Sequence, residues 1–216
     1  MALNSDAEFW NECVKSVSFR MIPDLTSNAA NISAIIYHEL IKRKGSDAVN
    51  WVGFYWCRKY YDEVKKEYST ALVLGPFHRM PARPILPEGE GVCGRAYTER
   101  KTQLIPDVHA IDWHIACDQA SQSELVLPIL DPESGEVLGV LDLDSPVVNG
   151  KTNTHIHIPQ PSHPPPLITL SKSLSLSLSL SLSLSTQNSH PAVLVVAAVH
   201  VMLQVGVRVM HVVWKG

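Results

Sequence analysis

The sequence predicts an α+β domain, with a mostly antiparallel sheet layered against helices, followed by a tail of different character. Helical periodicity near the start and a series of short strand-like runs after it predict the domain. An abrupt change of composition predicts where the domain ends. The expected division is a domain over residues 1–148 and a low-complexity and apolar tail over residues 149–216.

Three helices are expected in the domain. Ser5 and Glu8 have the spacing of a capping box, so a first helix is expected to begin there. A second helix is expected over residues 25–44, because apolar residues recur at helical spacing and Gly45 provides a stop signal. A short helix is expected to begin at Cys93, inside a glycine-rich segment.

Strand-like runs occupy most of the remaining domain. They are expected over residues 50–58, 68–74, 84–87, 103–105, 125–130 and 137–144. The last two are separated by the sequence Pro-Glu-Ser-Gly, which is typical of a hairpin loop. Mostly antiparallel strands with helices on one face complete the predicted α+β layers.

Charge and cysteine content exclude several classes of function. A net charge of −3 offers no electrostatic basis for binding nucleic acid or an anionic membrane surface. The four cysteines are scattered without CxxC spacing, which argues against a disulfide framework and a structural zinc site. The N-terminal residues lack a secretory signal, so a reducing cytoplasmic compartment with available thiols is expected.

The tail has three unlike parts. Residues 151–166 are rich in His, Pro and Thr, residues 173–185 alternate Ser and Leu, and residues 192–213 are rich in Val. The Val-rich part is just long enough to span a bilayer, but its polar side chains disfavour a membrane helix: His200, Gln204, Arg208 and His211. A Ser-Leu repeat is what a translated TC repeat produces, and Gly150 with Lys151 can be encoded by GGTAAG, which contains a typical intron start. The tail is therefore interpreted as low-complexity disorder or as intron read-through, which transcript sequencing would distinguish.

One thiol and three carboxylates are the residues of the domain best suited to catalysis. Cys117 lies in the segment HIACD, and the carboxylates are Glu124, Asp142 and Asp144. A cysteine attacks as thiolate, and carboxylates in a half-dry pocket can hold an amine or carry a proton. Asp142 and Asp144 share one face of a strand, where burying two carboxylates is costly. The set indicates redox or acyl chemistry on a small polar molecule, with an inert core thiol as the alternative for Cys117.

Seven sequence blocks in order carry a family resemblance. They are NWVGFY at 50–55, LGPF at 74–77, GEGVCG at 89–94, DVH at 107–109, HIACD at 114–118, SELVLP at 123–128 and GVLDLDS at 139–145. Together they resemble the GAF-domain free methionine-(R)-sulfoxide reductases over about residues 5–148. GVLDLDS is shared by GAF domains with other functions, whereas GVCG combined with HIACD is more specific.

The resemblance implies a fold, an activity and roles for particular residues. It implies an antiparallel sheet of about six strands with helices behind it, a pocket in front, and no cofactor or metal. It also implies reduction of free methionine-(R)-sulfoxide during oxidative stress, with thioredoxin as electron donor. The implied roles are the attacking thiol for Cys117, substrate walls for Trp51 and Tyr55, and substrate binding and proton supply for Glu124, Asp142 and Asp144.

The sequence departs from the family at two places. Arg83 stands where a resolving cysteine is expected, which leaves Cys93, a small thiol or thioredoxin itself to attack the sulfenic acid. The charge of Arg83 could lower the pKa of Cys117 or pair with a carboxylate. Nothing from Asn149 onward resembles the final amphipathic helix of the family, so this closing helix is interpreted as replaced.

Alternatives therefore stay open for the whole chain and for single residues. The chain could be the enzyme, a GAF binding module without turnover, or a non-functional product of mis-splicing, and a homodimer is neither indicated nor excluded. Trp51 and Tyr55 could be core residues, and Cys93 could serve packing between glycines. His109 and His114 could tune the thiol or be merely hydrogen-bonded.

Overall fold

The computed structural model describes residues 16, 24–116, 118–131 and 134–150. The elements in these ranges are α1 (Leu25–Lys44), β1 (Trp51–Asp62), β2 (Glu67–Arg79), β3 (Ile85–Pro87), α2 (Gly91–Glu99), β4 (Gln103–Ile105), a 3-10 helix (Val108–Ala110), β5 (Ser123–Leu130) and β6 (Val137–Ser145). The first predicted helix, apart from Ser16, and the tail beyond Gly150 lie outside the described residues.

The strands form one six-stranded sheet in the order β3-β2-β1-β6-β5-β4, and every neighbouring pair is antiparallel. The predicted α+β class and its six strands are confirmed. The β1–β2 hairpin is longer than predicted, because pairing continues from Trp51 opposite Arg79 to Asp62 opposite Glu67. The far end of this hairpin is mostly exposed and polar, so it carries little of the burial pattern that reveals a strand.

Helix α1 begins and ends where the sequence predicts. The side chain of Asp24 caps it by accepting a hydrogen bond from the Ser27 amide at 2.6 Å. Gly45 ends it with a φ of +91°, a value that glycine adopts without strain. Three basic residues in the last turn, at 42–44, complement the negative end of the helix dipole. Among the described residues, no helix combines the length and apolar character needed to cross a membrane.

The sheet has two differently covered faces. Successive side chains of a strand point to opposite faces, so Val52 and Phe54 pack behind the sheet with α1. Trp51 and Tyr55 lie on the front, in a second cluster that includes residues of α2. Helices were expected on one face only. Helix α1 packs behind the sheet as expected, whereas the short α2 covers the front. The face of the sheet that this nine-residue helix covers depends on the path of the loops at its two ends, which periodicity within the helix does not reveal.

Candidate active site

The strand register brings the three predicted carboxylates together on the front of the sheet. Asp142 and Asp144 alternate along β6 with residues of the back face, as their spacing predicts. Glu124 lies directly opposite Asp144 across the β5–β6 pair. All three side chains are deeply buried, with exposed fractions of 7% for Glu124, 2% for Asp142 and 4% for Asp144.

Cys93 joins this group from α2. Its Sγ lies 4.0 Å from Oε1 of Glu124, and ligand-type atoms of Cys93, Glu124 and Asp142 all lie within 4.8 Å of one another. Gly94 allows α2 to pack closely against the loop that precedes it, because a Cβ there would lie 2.9 Å from the backbone of Gly89. Within the described ranges, these three groups are also the donor set close enough to hold a metal ion.

Burial and mutual repulsion control the protonation of the carboxylates. Burial raises the pKa of Glu124, Asp142 and Asp144 well above the ordinary range. Repulsion raises each pKa further, since Asp144 acts on Glu124, Glu124 acts on Asp142, and Asp142 and Asp118 act on Asp144. Because like charges this close cannot all ionise, the group retains at least one proton near neutral pH.

Of the two histidines singled out in the sequence, His114 lies at the site. Its Nε2 is 3.5 Å from Oε2 of Glu124. Burial lowers the pKa of His114 and raises that of Glu124, so both partners favour their neutral forms. The contact is therefore a weak polar contact rather than an ion pair. His109 is exposed and hydrogen-bonds through Nε2 to Oε1 of Gln122 at 3.1 Å.

Stacked aromatic rings lie beside the carboxylates. The rings of Trp51 and Tyr55 are 6.0 Å apart at an angle of 29°, which confirms that these two side chains point the same way. Phe77 stacks on the other side of Trp51 at 5.6 Å. Gly53 makes room for the indole, because a Cβ there would overlap it. Trp51 and Tyr55 are almost fully buried, with exposed fractions of 2% and 0%.

Arg83 contributes its backbone rather than its charge. The hydroxyl of Tyr55 donates to the Arg83 carbonyl at 3.0 Å, while the Arg83 side chain is exposed. No ion pair joins Arg83 to Glu124, Asp142 or Asp144 in the part of the chain that the structure describes. The expected pairing with a carboxylate is therefore not formed, because the segment between β2 and β3 turns this side chain outward.

A small cleft opens between α2 and the segment that precedes Asp118. It is partly open to solvent, and its lining includes Glu90, Val92, Cys93, Ile115 and Glu124. Asp142, Asp144, Trp51 and Tyr55 are packed beside the cleft and do not line it. Cys117, the predicted nucleophile, lies outside the described residues, although both of its neighbours in sequence are described.

Comparison with known proteins identifies the family of this domain. Residues 43–157 match the GAF domain family, which covers more than half of the chain. The chain belongs to the GAF domain family. It is 49% identical over 126 residues to Protein YtsP of Bacillus subtilis, covering 58% of this chain and 68% of that protein.

Other relatives carry a functional name. The chain is 42% identical over 118 residues to a free methionine-R-sulfoxide reductase of Escherichia coli, covering 55% of this chain and 61%, less than two thirds, of that protein. The solved structure of the Staphylococcus aureus fRMsr in complex with substrate matches with a TM-score of 0.52 and 33% identity, over 69% of this chain and 86% of that one. The resemblance to the GAF-domain free methionine-(R)-sulfoxide reductases is thereby confirmed.

The GAF domain also contains site residues that the sequence did not single out. Asn50 and Ser121 are buried and hydrogen-bonded to each other beside Asp144, and Phe77 extends the aromatic stack. Asn50 and Phe77 fall inside the recognised sequence blocks, which was the available signal. Ser121 lies in a loop between blocks, and nothing in the sequence distinguishes it from other loop serines.

Proposed function

We propose that this GAF domain reduces free methionine-(R)-sulfoxide to methionine in the cytoplasm, with Cys117 as the attacking thiol and thioredoxin as the final reductant. The observation that carries the proposal is the buried group of Glu124, Asp142 and Asp144 beside a small cleft and the Cys93 thiol. Relatives named free methionine-R-sulfoxide reductase support the same substrate.

The site suits a free amino acid. An ionised carboxylate can bind the substrate ammonium through charge-assisted hydrogen bonds, and methionine within a peptide lacks this ammonium. Oδ1 of Asp142 is buried without a hydrogen-bond partner among the described residues, so it has capacity for a donor. The cleft as it stands has room for little more than one water molecule, so it must open to admit the substrate. Trp51 and Tyr55 offer aromatic surface to the methyl and sulfur groups once the cleft opens toward them.

The first chemical step is a two-electron reduction of the sulfoxide. The Cys117 thiolate attacks the sulfoxide sulfur, the sulfur–oxygen bond of the substrate breaks, and the oxygen passes with one proton to the Cys117 sulfur, which leaves methionine and a sulfenic acid on Cys117. The departing oxygen needs one proton. We assign this proton to Glu124, because it lines the cleft and burial raises its pKa well above the ordinary range, which favours the protonated form.

The second step removes the sulfenic acid. Cys93 lies in the site, so its thiol can attack the oxidised sulfur, release water and form a disulfide. Thioredoxin then reduces this disulfide by thiol exchange. The alternative is direct attack on Cys117 by thioredoxin or a small thiol, which the exposed Arg83 in place of a cysteine favours.

A single-turnover experiment tests the proposal. The reduced protein is mixed with free methionine-(R)-sulfoxide without reductant, and methionine formed and thiols lost are counted. One methionine with two thiols lost supports resolution by Cys93, and one methionine with one thiol lost supports an outside reductant. The Cys117→Ser variant should form no methionine while still binding substrate. Cys57→Ser is the matched control and should behave as wild type, because Cys57 contacts Tyr97 at 3.1 Å, away from the carboxylates.

A second candidate is a GAF binding module that holds a methionine-like ligand without turnover. The replacement of the resolving cysteine by Arg83 favours it. A folded sample that binds the sulfoxide but forms no methionine would establish this candidate and overturn the proposed reduction. Methionine formed at full rate by Cys117→Ser would remove Cys117 as the nucleophile.

A further inference from the structure

Asn50 connects the sheet to the turn that follows the predicted nucleophile. It precedes the first residue of β1 and is only 7% exposed. Its backbone amide donates to the Asp144 carbonyl at 2.9 Å, which fixes it beside β6. Its side-chain Nδ2 donates to Oδ2 of Asp118 and to Oγ of Ser121, both at 3.1 Å. Both hydrogens of this amide therefore bind the same turn.

The turn that Asn50 holds is itself a rigid unit. Oδ1 of Asp118 accepts a hydrogen bond from the Ala120 amide at 2.9 Å, and the Asp118 carbonyl accepts one from the Ser121 amide at 3.2 Å. The amide of Gln122 then bonds to the Ser145 carbonyl at 2.8 Å, which ties the end of the turn to β6. Asp118 directly follows Cys117 in the chain, and consecutive Cα atoms are about 3.8 Å apart. The turn that Asn50 holds therefore begins at the residue next to Cys117 in the sequence.

The same turn acts on the carboxylates. The charge of Asp118 raises the pKa of Asp144, and the hydrogen bond from Ser121 lowers it. Oδ1 of Asn50 is buried without a hydrogen-bond partner among the described residues. The two hydrogen bonds that Nδ2 of Asn50 donates to the turn are the contacts through which this residue can act on the site.

We propose that Asn50 is a positioning residue that holds the Asp118–Ser121 turn against β6, beside Asp144, and through this turn supports the reaction of Cys117. The proposal rests on the proposed function for its catalytic consequence. Asn50 does not line the cleft, so it acts through the turn rather than by touching substrate. Its loss should therefore slow the chemical step more than it weakens substrate binding.

The test compares Asn50→Ala with two other variants. Asn28→Ala is the matched control, because Asn28 is an equally buried asparagine in α1, behind the sheet. Ser121→Ala removes one of the two acceptors and should give an intermediate effect. For each variant we would measure kcat and KM for methionine formation, the melting temperature, and the pH dependence of Cys117 alkylation by peptide mass spectrometry.

Asn50→Ala is expected to lower kcat by about 10²-fold, since misplacing a reacting group by about 1 Å has an effect of this size. KM should stay within about threefold, and the alkylation profile of Cys117 should shift relative to wild type. Asn28→Ala should lose stability but keep both the rate and the profile. A kcat within about threefold of wild type in folded Asn50→Ala, or an equal loss in Asn28→Ala, would overturn the proposal.

Alkylation keeps the two proposals distinguishable, because it needs no turnover. If wild type forms no methionine, the proposed function fails and the alkylation profile alone decides on Asn50. A shifted profile in Asn50→Ala with an unchanged one in Asn28→Ala would then support the positioning role. Identical profiles in wild type, Asn50→Ala and Asn28→Ala would overturn it.

Discussion

The two faces of the sheet use the same strands for opposite purposes. On β6, Leu141 and Leu143 pack behind the sheet with α1, while Asp142 and Asp144 lie buried on the front. The back is a continuous apolar core, and the front encloses carboxylates whose burial is unfavourable. A slip of one residue would exchange these sets of side chains. The apolar back face therefore fixes the register that places the carboxylates in front.

The largest effect on catalysis is expected from neutralising one carboxylate on the front face of the sheet. Asp142→Asn should lower kcat/KM for methionine formation by at least about 30-fold, because it removes the charge proposed to hold the substrate ammonium, and losing one partner of a buried charged pair costs about 2 kcal/mol or more. The side chain keeps its size, so the fold should be retained. Steady-state kinetics with a folded sample checks this. A rate within tenfold of wild type would mean that Glu124 and Asp144 suffice without Asp142.

The next effect concerns the back. Leu141 is fully buried against α1, so Leu141→Ala should lower the free energy of unfolding by about 2–5 kcal/mol. Urea denaturation measures this loss. The rate per folded molecule should stay within about threefold of wild type, because Leu141 faces away from the carboxylates. A tenfold loss of rate in a sample shown to be folded would mean that the two faces are coupled more tightly than the comparison implies.

The two faces also differ in what the sequence could predict. The back and α1 follow from apolar periodicity, so the bounds of α1 and the number of strands were predictable, whereas the full length of the β1–β2 hairpin was not. The shared face of Asp142 and Asp144 followed from strand alternation. The contact between Cys93 and Glu124 was not predictable from periodicity, because it joins residues 31 positions apart through the docking of α2. The family resemblance pointed to Cys93 and Glu124 as site residues. It indicated neither the role proposed for Asn50 nor the outward orientation of the Arg83 side chain.

Stability should depend on pH through the front face. A carboxyl whose pKa is raised by folding stabilises the protein below its unfolded pKa, near 4, and loses this contribution as pH rises through the folded pKa. The free energy of unfolding should therefore fall as pH rises above about 4, by about 1.4 kcal/mol for each unit by which a pKa is raised. His114 acts in the opposite sense, because its lowered pKa makes it stabilising above about 6.5 and less so as pH falls.

A comparison of wild type with one variant separates the contribution of the carboxylates to stability from that of His114. The difference in unfolding free energy between Asp142→Asn and wild type should grow in favour of the variant from pH 5 to pH 9, because asparagine does not ionise. The contribution of His114 is common to both proteins and cancels in the difference. Urea denaturation across this range, without substrate, is the measurement. Saturating methionine-(R)-sulfoxide should reduce the difference, since its ammonium would offset the charge of the carboxylates. Parallel pH profiles for the two proteins would contradict the shared raised pKa values.

The smallest effect is expected at Arg83. Among the described residues, its backbone carbonyl and not its guanidinium contacts the site, through the hydroxyl of Tyr55, so Arg83→Ala should change the rate by less than about threefold. Tyr55→Phe removes that hydrogen bond and should cost about 1 kcal/mol of stability, which gives a control for the contact itself. A tenfold loss of rate in Arg83→Ala would show that the guanidinium reaches the site during turnover. The charge introduced where the family carries a cysteine would then have a role in catalysis, rather than marking only the loss of a thiol.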